Sequence, residues 1–517
     1  TGAATTAAEA VFAVGPCSGS TWRLRRISLL GYRFTSFVSQ RTGLRALLGQ
    51  TGEPLSNLHV VVATEADTCD WAHKDDGLPH TLEHVIFLGS QKYPFKGVLD
   101  KLANRSLASG TNAWTATDHT CYTLETAGHE GCLNLLPIYA DHILHPCLTD
   151  HSFVTEVHHV TGDGEDKGVV YCEMQGRENT EGSLVDRAIL DLLYPKGGYS
   201  AETGGKLANL RTLTNEQVSR YHRENYQASN MMFVLTGAAD ETEFLRALDQ
   251  VEASVCAKPP PPQMPRPWMG PLSPVDVDAH GMLRPLHGQD NAATADAVSA
   301  AGLGGPDSNA VEQPGDAAGE AGAPSLDASA VAMRAAAPAG WAGTPRVVLF
   351  PSEDESRGVV SIGWRGPRYE ERSKWVAIRL LWSYLSESAA SPLQMALVEC
   401  SEPLCADIEP AHEVFSEGYH QVWLREVEAD KMDQVVPRFF EVVRAAADEF
   451  DVTRMGIVIR RAQRKLLQSL EAKPTEVLID GVVRNFLYGP RGTEAAGAAA
   501  ASGTVGSQPA GAAMSVE

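Results

Sequence analysis

The sequence has no run approaching 18 consecutive apolar residues, so no membrane-spanning helix is expected. It is short of positive charge: 43 basic residues stand against 65 acidic ones, for a formal net charge of −22. That balance argues against a nucleic-acid surface and fits basic or neutral ligands. Cysteine is sparse and unpatterned, with nine thiols at positions 17, 69, 121, 132, 147, 172, 256, 400 and 405 and no Cys-x-x-Cys pair. The odd number and missing framework point to reduced thiols in an intracellular compartment and away from a cysteine-ligated zinc. Nor does the chain open on methionine. It begins Thr-Gly-Ala-Ala, which leaves room for a transit peptide upstream. The expected location is the cytoplasm, with the mitochondrion or another organelle as the alternative.

What is present is an ordinary globular composition, 43% hydrophobic and 21% charged, over 517 residues. That length suits two to four domains. Residues 1–20 are small and polar and are expected to be disordered. From 21 to 256 the chain is dense in aliphatic and aromatic residues. "NLHVVVATEA" (57–66) and "NMMFVLTG" (230–237) read as buried strands, and "KGVVYCEMQG" (167–176) and "LVDRAILDLLY" (184–194) as helices. Strands alternating with helices predict an α/β or α+β domain. Residues 257–345 are rich in Pro, Ala, Gly, Asp and Ser, with too little large apolar surface to offset ordering entropy, and are expected to form a flexible linker. Order resumes over 346–490 with two strand-like runs in "RVVLFPSEDESRGVVSIGW". A helix carrying Trp375, Ile378, Leu381, Trp382 and Leu385 follows, then a helical stretch over 435–450. The Ala/Gly-rich residues 491–517 read as a disordered tail. Both ordered regions open on strands followed by a long helix, which hints at a duplicated unit.

The chemistry concentrates in "GLPHTLEHVIFLGS" (77–90). Asp75, Asp76 and Gly77 can cap a helix, Pro79 suits its first turn and Gly89 can stop it. On that helix His80 and His84 are one turn apart and project from one face, as two nitrogen ligands for a single zinc ion must. Glu83 adjoins them, placed to take a proton from water rather than to ligate. The pentapeptide alone arises by chance in roughly one chain in thirty of this size and composition, so its context matters. A zinc hydrolase site needs a third protein ligand. Glu156, Glu165, Glu173 and Glu178 are the acids in range. His158 and His159, about 100° apart on a helix, cannot chelate together, and His119 reads as structural.

The order His-x-x-Glu-His is the inverted zincin motif, and here the chain resembles the pitrilysin, insulysin and presequence protease family of metallopeptidases. The resemblance extends through "GLPHTLEHVIFLGSQKYP", "GTNAWTATDHTCYTLET" (110–126), "GVVYCEMQG" (168–176) and "YSAETGG" (199–205). It implies an α+β chain of two homologous α/β-sandwich domains joined by the linker, the second of them metal-free. It further implies Zn2+ held by His80, His84 and Glu173, with Glu83 as general base. Asp166 matches a position that often carries an acid supporting the ligands. Asn112 matches an asparagine that contacts the substrate backbone at a strand edge. The implied activity is endoproteolysis of short unstructured peptides.

The chain departs from the family in two ways. Relatives have a second half, which supplies an arginine and a tyrosine to the transition state, and no match for that pair is found here. Residues 71–74, "WAHK", look like an insertion before the zinc helix. The expected partners are therefore peptide substrates and a second homologous half or subunit. The alternative reading is a truncated or non-catalytic member that scaffolds or presents substrates.

Overall fold

The computed structural model describes residues 11–29, 31–65, 75–195, 198–255 and 346–489. The expected linker over 257–345, the tail over 491–517, residues 1–10 and the inserted Trp-Ala-His-Lys segment lie outside the described residues. The fold is mixed α and β, with two sheets that each carry their own hydrophobic core.

The first region runs β1 (Val11–Val14), β2 (Thr21–Leu29), β3 (Tyr32–Ser39), β4 (Arg45–Gln50) and β5 (Leu55–Ala63) into helices α1 (Leu78–Val85) and α2 (Val98–Arg105). The hairpin β6 (Ala108–Thr115) and β7 (His119–Ala127) follows, then α3 (His129–Leu144), α4 (Asp150–Glu156) and the small ribbon β8 (His159–Val160) and β9 (Asp166–Lys167). Helices α5 (Val169–Arg177), α6 (Glu181–Leu193), α7 (Leu207–Leu210) and α8 (Asn215–Asn225) lead to β10 (Met231–Gly237) and α9 (Glu241–Ser254). The eight-stranded sheet has the order β1-β2-β3-β4-β10-β5-β7-β6. It is antiparallel except where β10 runs parallel to β4. β6 is therefore an edge.

β5 ends in the apolar run Val60–Ala63, which is covered on both faces. Val60 and Val62 face the core beneath α1, α3 and α9, while Val61 and Ala63 face the other way, into a cluster shared with the second region. That second region comprises β11 (Arg357–Arg368), α10 (Arg372–Ser386), α11 (Pro392–Leu397), β12 (Asp407–Glu413), β13 (Glu417–Glu428), α12 (Met432–Asp448), α13 (Val452–Ala472) and α14 (Pro474–Tyr488). Its three-stranded antiparallel sheet has the order β11-β13-β12. α14 returns to the outer face of the first sheet, where Thr475 Oγ1 donates to Thr236 Oγ1 at 2.7 Å. Between the regions Tyr199 stacks on Phe415 at 4.1 Å, and the Tyr194 hydroxyl donates to the Glu417 carbonyl at 2.9 Å.

Two expectations need correction. Residues 11–20 are not without structure: β1 pairs with β2, and the following turn wraps the buried Asp249 carboxylate, which accepts from the backbone N–H of Cys17 at 2.6 Å and of Ser18 at 2.8 Å. Small polar residues suit that turn, because two backbone N–H groups and the Ser18 hydroxyl all donate to the one carboxylate. Of the two strand-like runs after residue 346 only β11 is a strand, since residues 346–350 have no partner strand among the described residues. No described helix is long and apolar enough to cross a membrane.

Candidate metal centre

α1 is a core helix, with Leu78, Leu82 and Val85 buried in the main cluster and only Glu83 and His84 partly open. Its N-terminus is Gly77 at φ 72°, and no side chain caps it. The expected caps do something else: Asp75 accepts from the Glu202 N–H at 2.9 Å and from Lys206 Nζ at 2.6 Å, and Asp76 accepts from Asn209 Nδ2 at 2.7 Å. They lash the helix start to the segment 202–209, which runs into α7. A Cβ on Gly77 would lie 2.6 Å from the Gly204 carbonyl oxygen and from the Gly205 Cα. Both the left-handed backbone and the close approach require glycine there, which explains why "DDG" and "ETGG" occur in one chain.

One turn apart on α1, His80 and His84 bring their Nε2 atoms to 3.2 Å. Glu173 reaches them from α5, its Oε2 lying 3.6 Å from His80 Nε2 and 3.4 Å from His84 Nε2. Its other oxygen faces Arg177 at 3.5 Å. α5 is set close by Gly168, where a Cβ would meet the Val157 carbonyl oxygen at 2.2 Å. Nitrogen and oxygen donors at about 2.0–2.2 Å from a tetrahedral zinc lie about 3.3–3.6 Å from one another. The observed triangle of 3.2, 3.4 and 3.6 Å fits. Burial, with His84 and Arg177 acting the same way, holds the His80 pKa down to about 4, so the ring is the neutral donor a metal needs. The Gly204 carbonyl is the backbone group acting on this ring, though it falls short of a formed hydrogen bond to Nδ1.

Behind His84 stands Glu156, at the end of α4, with Oε1 3.5 Å from Nδ1 and Oε2 3.5 Å from Lys96 Nζ. Burial pulls the His84 pKa down, but Glu156, Glu83 and Glu173 outweigh it and the net shift is upward. Glu83 is outside the triangle of His80, His84 and Glu173. Its Oε2 accepts a hydrogen bond from Thr115 Oγ1 on β6, and burial raises its carboxyl pKa. Ala113 and Thr115 face α1, so strand alternation puts Asn112 and Trp114 on the opposite face, where the Trp114 ring meets His59 at 6.1 Å. Asn112 is exposed on the edge strand.

Asp166, expected as the acid supporting the ligands, touches none of them. It accepts from His158 Nε2 at 2.7 Å, from Arg211 Nη2 at 2.9 Å and from the Tyr171 hydroxyl at 3.3 Å. The acid that faces one of the two histidines is Glu156, which the sequence offered only as a candidate ligand. Thr115 was missed altogether. The one sequence signal for it was its place, three residues after Asn112 on the same strand.

A family model described as Insulinase (Peptidase family M16) matches residues 69–166, the segment that carries the helix and the hairpin. That match supports the pitrilysin and insulysin family for this chain. It is 33% identical over 466 residues to the uncharacterized protein C05D11.1 of Caenorhabditis elegans, covering 89% of this chain and 39% of that one. It is 34% identical over 169 residues to a mitochondrial presequence protease of Xenopus tropicalis, covering 31% of this chain and 16% of the relative. The chain thus spans about two fifths of the length of the C. elegans relative. Among solved structures its fold is similar to a protease from Helicobacter pylori (TM-score 0.63, 14% identity, covering 88% of this chain and 89% of that one). It is also similar to a peptidase M16 inactive domain from Pseudomonas fluorescens (TM-score 0.58, 13% identity, covering 91% and 92%).

Proposed function

We propose that the chain is a zinc metalloendopeptidase acting on short unstructured peptides. The observation that carries this reading is the ligand triangle of His80, His84 and Glu173 with a non-ligating Glu83 on the same helix. Bound zinc would polarise a carbonyl and lower the pKa of a water molecule. The chain's own residues do the rest. With Oε2 engaged by Thr115, Glu83 takes a proton at Oε1 and returns it to the leaving amine; burial raises its pKa, the direction that eases both tasks. An extended peptide adds to the open edge of β6, with Asn112 contacting its backbone. Because β6 also holds Glu83 through Thr115, the edge that orients the peptide orients the base.

The C. elegans relative is more than twice as long as this chain, so a second homologous half is the proposed partner, and it would improve turnover by enclosing the peptide. The cytoplasm is the proposed location; the mitochondrial alternative has the name of the Xenopus relative in its favour. The inactive domain among the similar structures favours a second reading, a zinc-free or zinc-bound scaffold without turnover. A quenched peptide of a dozen or more residues, assayed with and without chelator beside a folded protein control, separates the two. Chelator-sensitive cleavage of the peptide alone supports the peptidase. Zinc binding with no cleavage, even when a matching second half is supplied, supports the scaffold.

A further inference from the structure

The hairpin that presents β6 ends in a turn over residues 116–119, closed by Ala116 N–H to the His119 carbonyl at 2.8 Å. Asp118 sits in that turn yet is only 5% exposed. An acid in a hairpin turn ordinarily faces water, so its burial needs a cause. Its Oδ1 accepts from His119 Nδ1 at 2.7 Å, and its Oδ2 accepts from the Tyr488 hydroxyl at the end of α14. His119 Nε2 in turn accepts from the Trp114 indole N–H at 3.0 Å. An indole can only donate, so the imidazole proton must be on Nδ1 and the chain of bonds has one direction. Burial works against the carboxylate's charge, but His119, Tyr488 and the nearby Arg484 outweigh it.

Tyr488 is itself fixed by residues of both regions. The Tyr199 hydroxyl lies 3.4 Å from the Tyr488 hydroxyl and 3.0 Å from Ser416 Oγ, and the Tyr369 ring lies 5.7 Å from the Tyr488 ring. The far end of the chain thus reaches, through Asp118 and His119, the residue next to Thr115. We infer that Tyr488, Asp118 and His119 are positioning residues: they let the second region set the hairpin, and through Thr115 the orientation of Glu83. The inference rests on the peptidase reading for its consequence and on the hydrogen-bond chain for its existence. It also gives the metal-free second region a part in the reaction that no ligand of its own provides.

Tyr488→Phe in the full chain removes one hydroxyl and leaves the ring among its aromatic neighbours. In metal-free protein, amide exchange over residues 111–120 is expected to quicken about tenfold, the scale of one hydrogen bond to a charged group, with the zinc capacity of the wild type and a melting midpoint lowered by only about a few degrees. In single-turnover cleavage, kcat falls about tenfold with KM little changed. In a Thr115→Val background the same substitution costs less than about twofold, because the link it acts through is already gone. Should Tyr488→Phe not fold, Asp118→Asn is put through the same cycle. Unchanged exchange, or losses that multiply independently in the double variant, would overturn the inference and leave a purely structural contact. A wild-type chain that cleaves nothing counts against the peptidase reading instead, and the exchange measurement still decides whether the hairpin is held from Tyr488.

Discussion

Glu156 and Asp166 are both acids near the cluster, and they give opposite expectations for zinc affinity. Glu156 faces His84 Nδ1 at 3.5 Å, so it favours the tautomer that leaves Nε2 free for a metal. Partners of this kind are typically worth about 10–100-fold in metal affinity. The 3.5 Å separation is at the long end for a hydrogen bond, so Glu156→Gln should sit near the low end, about tenfold or about 1.4 kcal/mol. The fold should not suffer, because Lys96, the other partner, is 68% exposed and stays solvated when the charge is removed. Asp166→Asn should change zinc affinity less than about threefold, since Asp166 bonds His158, Arg211 and Tyr171 and no ligand. Competition against a chelator of known affinity measures both. Equal losses, or a larger loss from Asp166→Asn, would refute the assignment of the supporting acid.

Gly77→Ala forces a side chain into a left-handed position at φ 72° and against the backbone of Gly204 and Gly205. The expected cost is about 2–4 kcal/mol, read as a lowered denaturation midpoint together with weaker zinc binding; a change within error would mean that the segment 202–209 yields freely. Glu83→Gln should keep zinc and lower turnover by about 10²–10⁴, the range for a general base. Loss of zinc together with activity would make Glu83 a ligand and redraw the site. Asn112→Ala should raise KM for an extended peptide with zinc unchanged, measured by initial rates; a change confined to kcat would argue against backbone recognition at the β6 edge.

The histidine pair and Glu83 were legible because they lie within one helical turn, where spacing alone fixes which side chains share a face. Glu173 was not, since four acids were in range and only the family resemblance singled one out. Glu156 and Thr115 come from α4 and β6, and their relation to α1 is set by packing across the core rather than by any local pattern. The same limit misread Asp75 and Asp76. Their sequence says helix cap, but Gly77 meets Gly204 and Gly205 so closely that both carboxylates are drawn to the opposing segment instead. β5 was legible as a strand, and its second apolar face signalled a covering layer; that the layer is α14 and its neighbours, from the far end of the chain, follows only from the tertiary structure. β1 escaped because four residues of mixed exposure leave little periodicity to read.

The central claim is that His80, His84 and Glu173 hold one metal ion. Elemental analysis of the chain purified without added metal tests it most directly, beside the Glu173→Gln variant, whose neutral amide is a poor substitute for a carboxylate ligand. The account expects about one zinc atom per wild-type chain and the loss of most of it from Glu173→Gln, with the fold intact by circular dichroism. Full zinc retention by Glu173→Gln, or no zinc in a folded wild-type chain offered the metal, would contradict it.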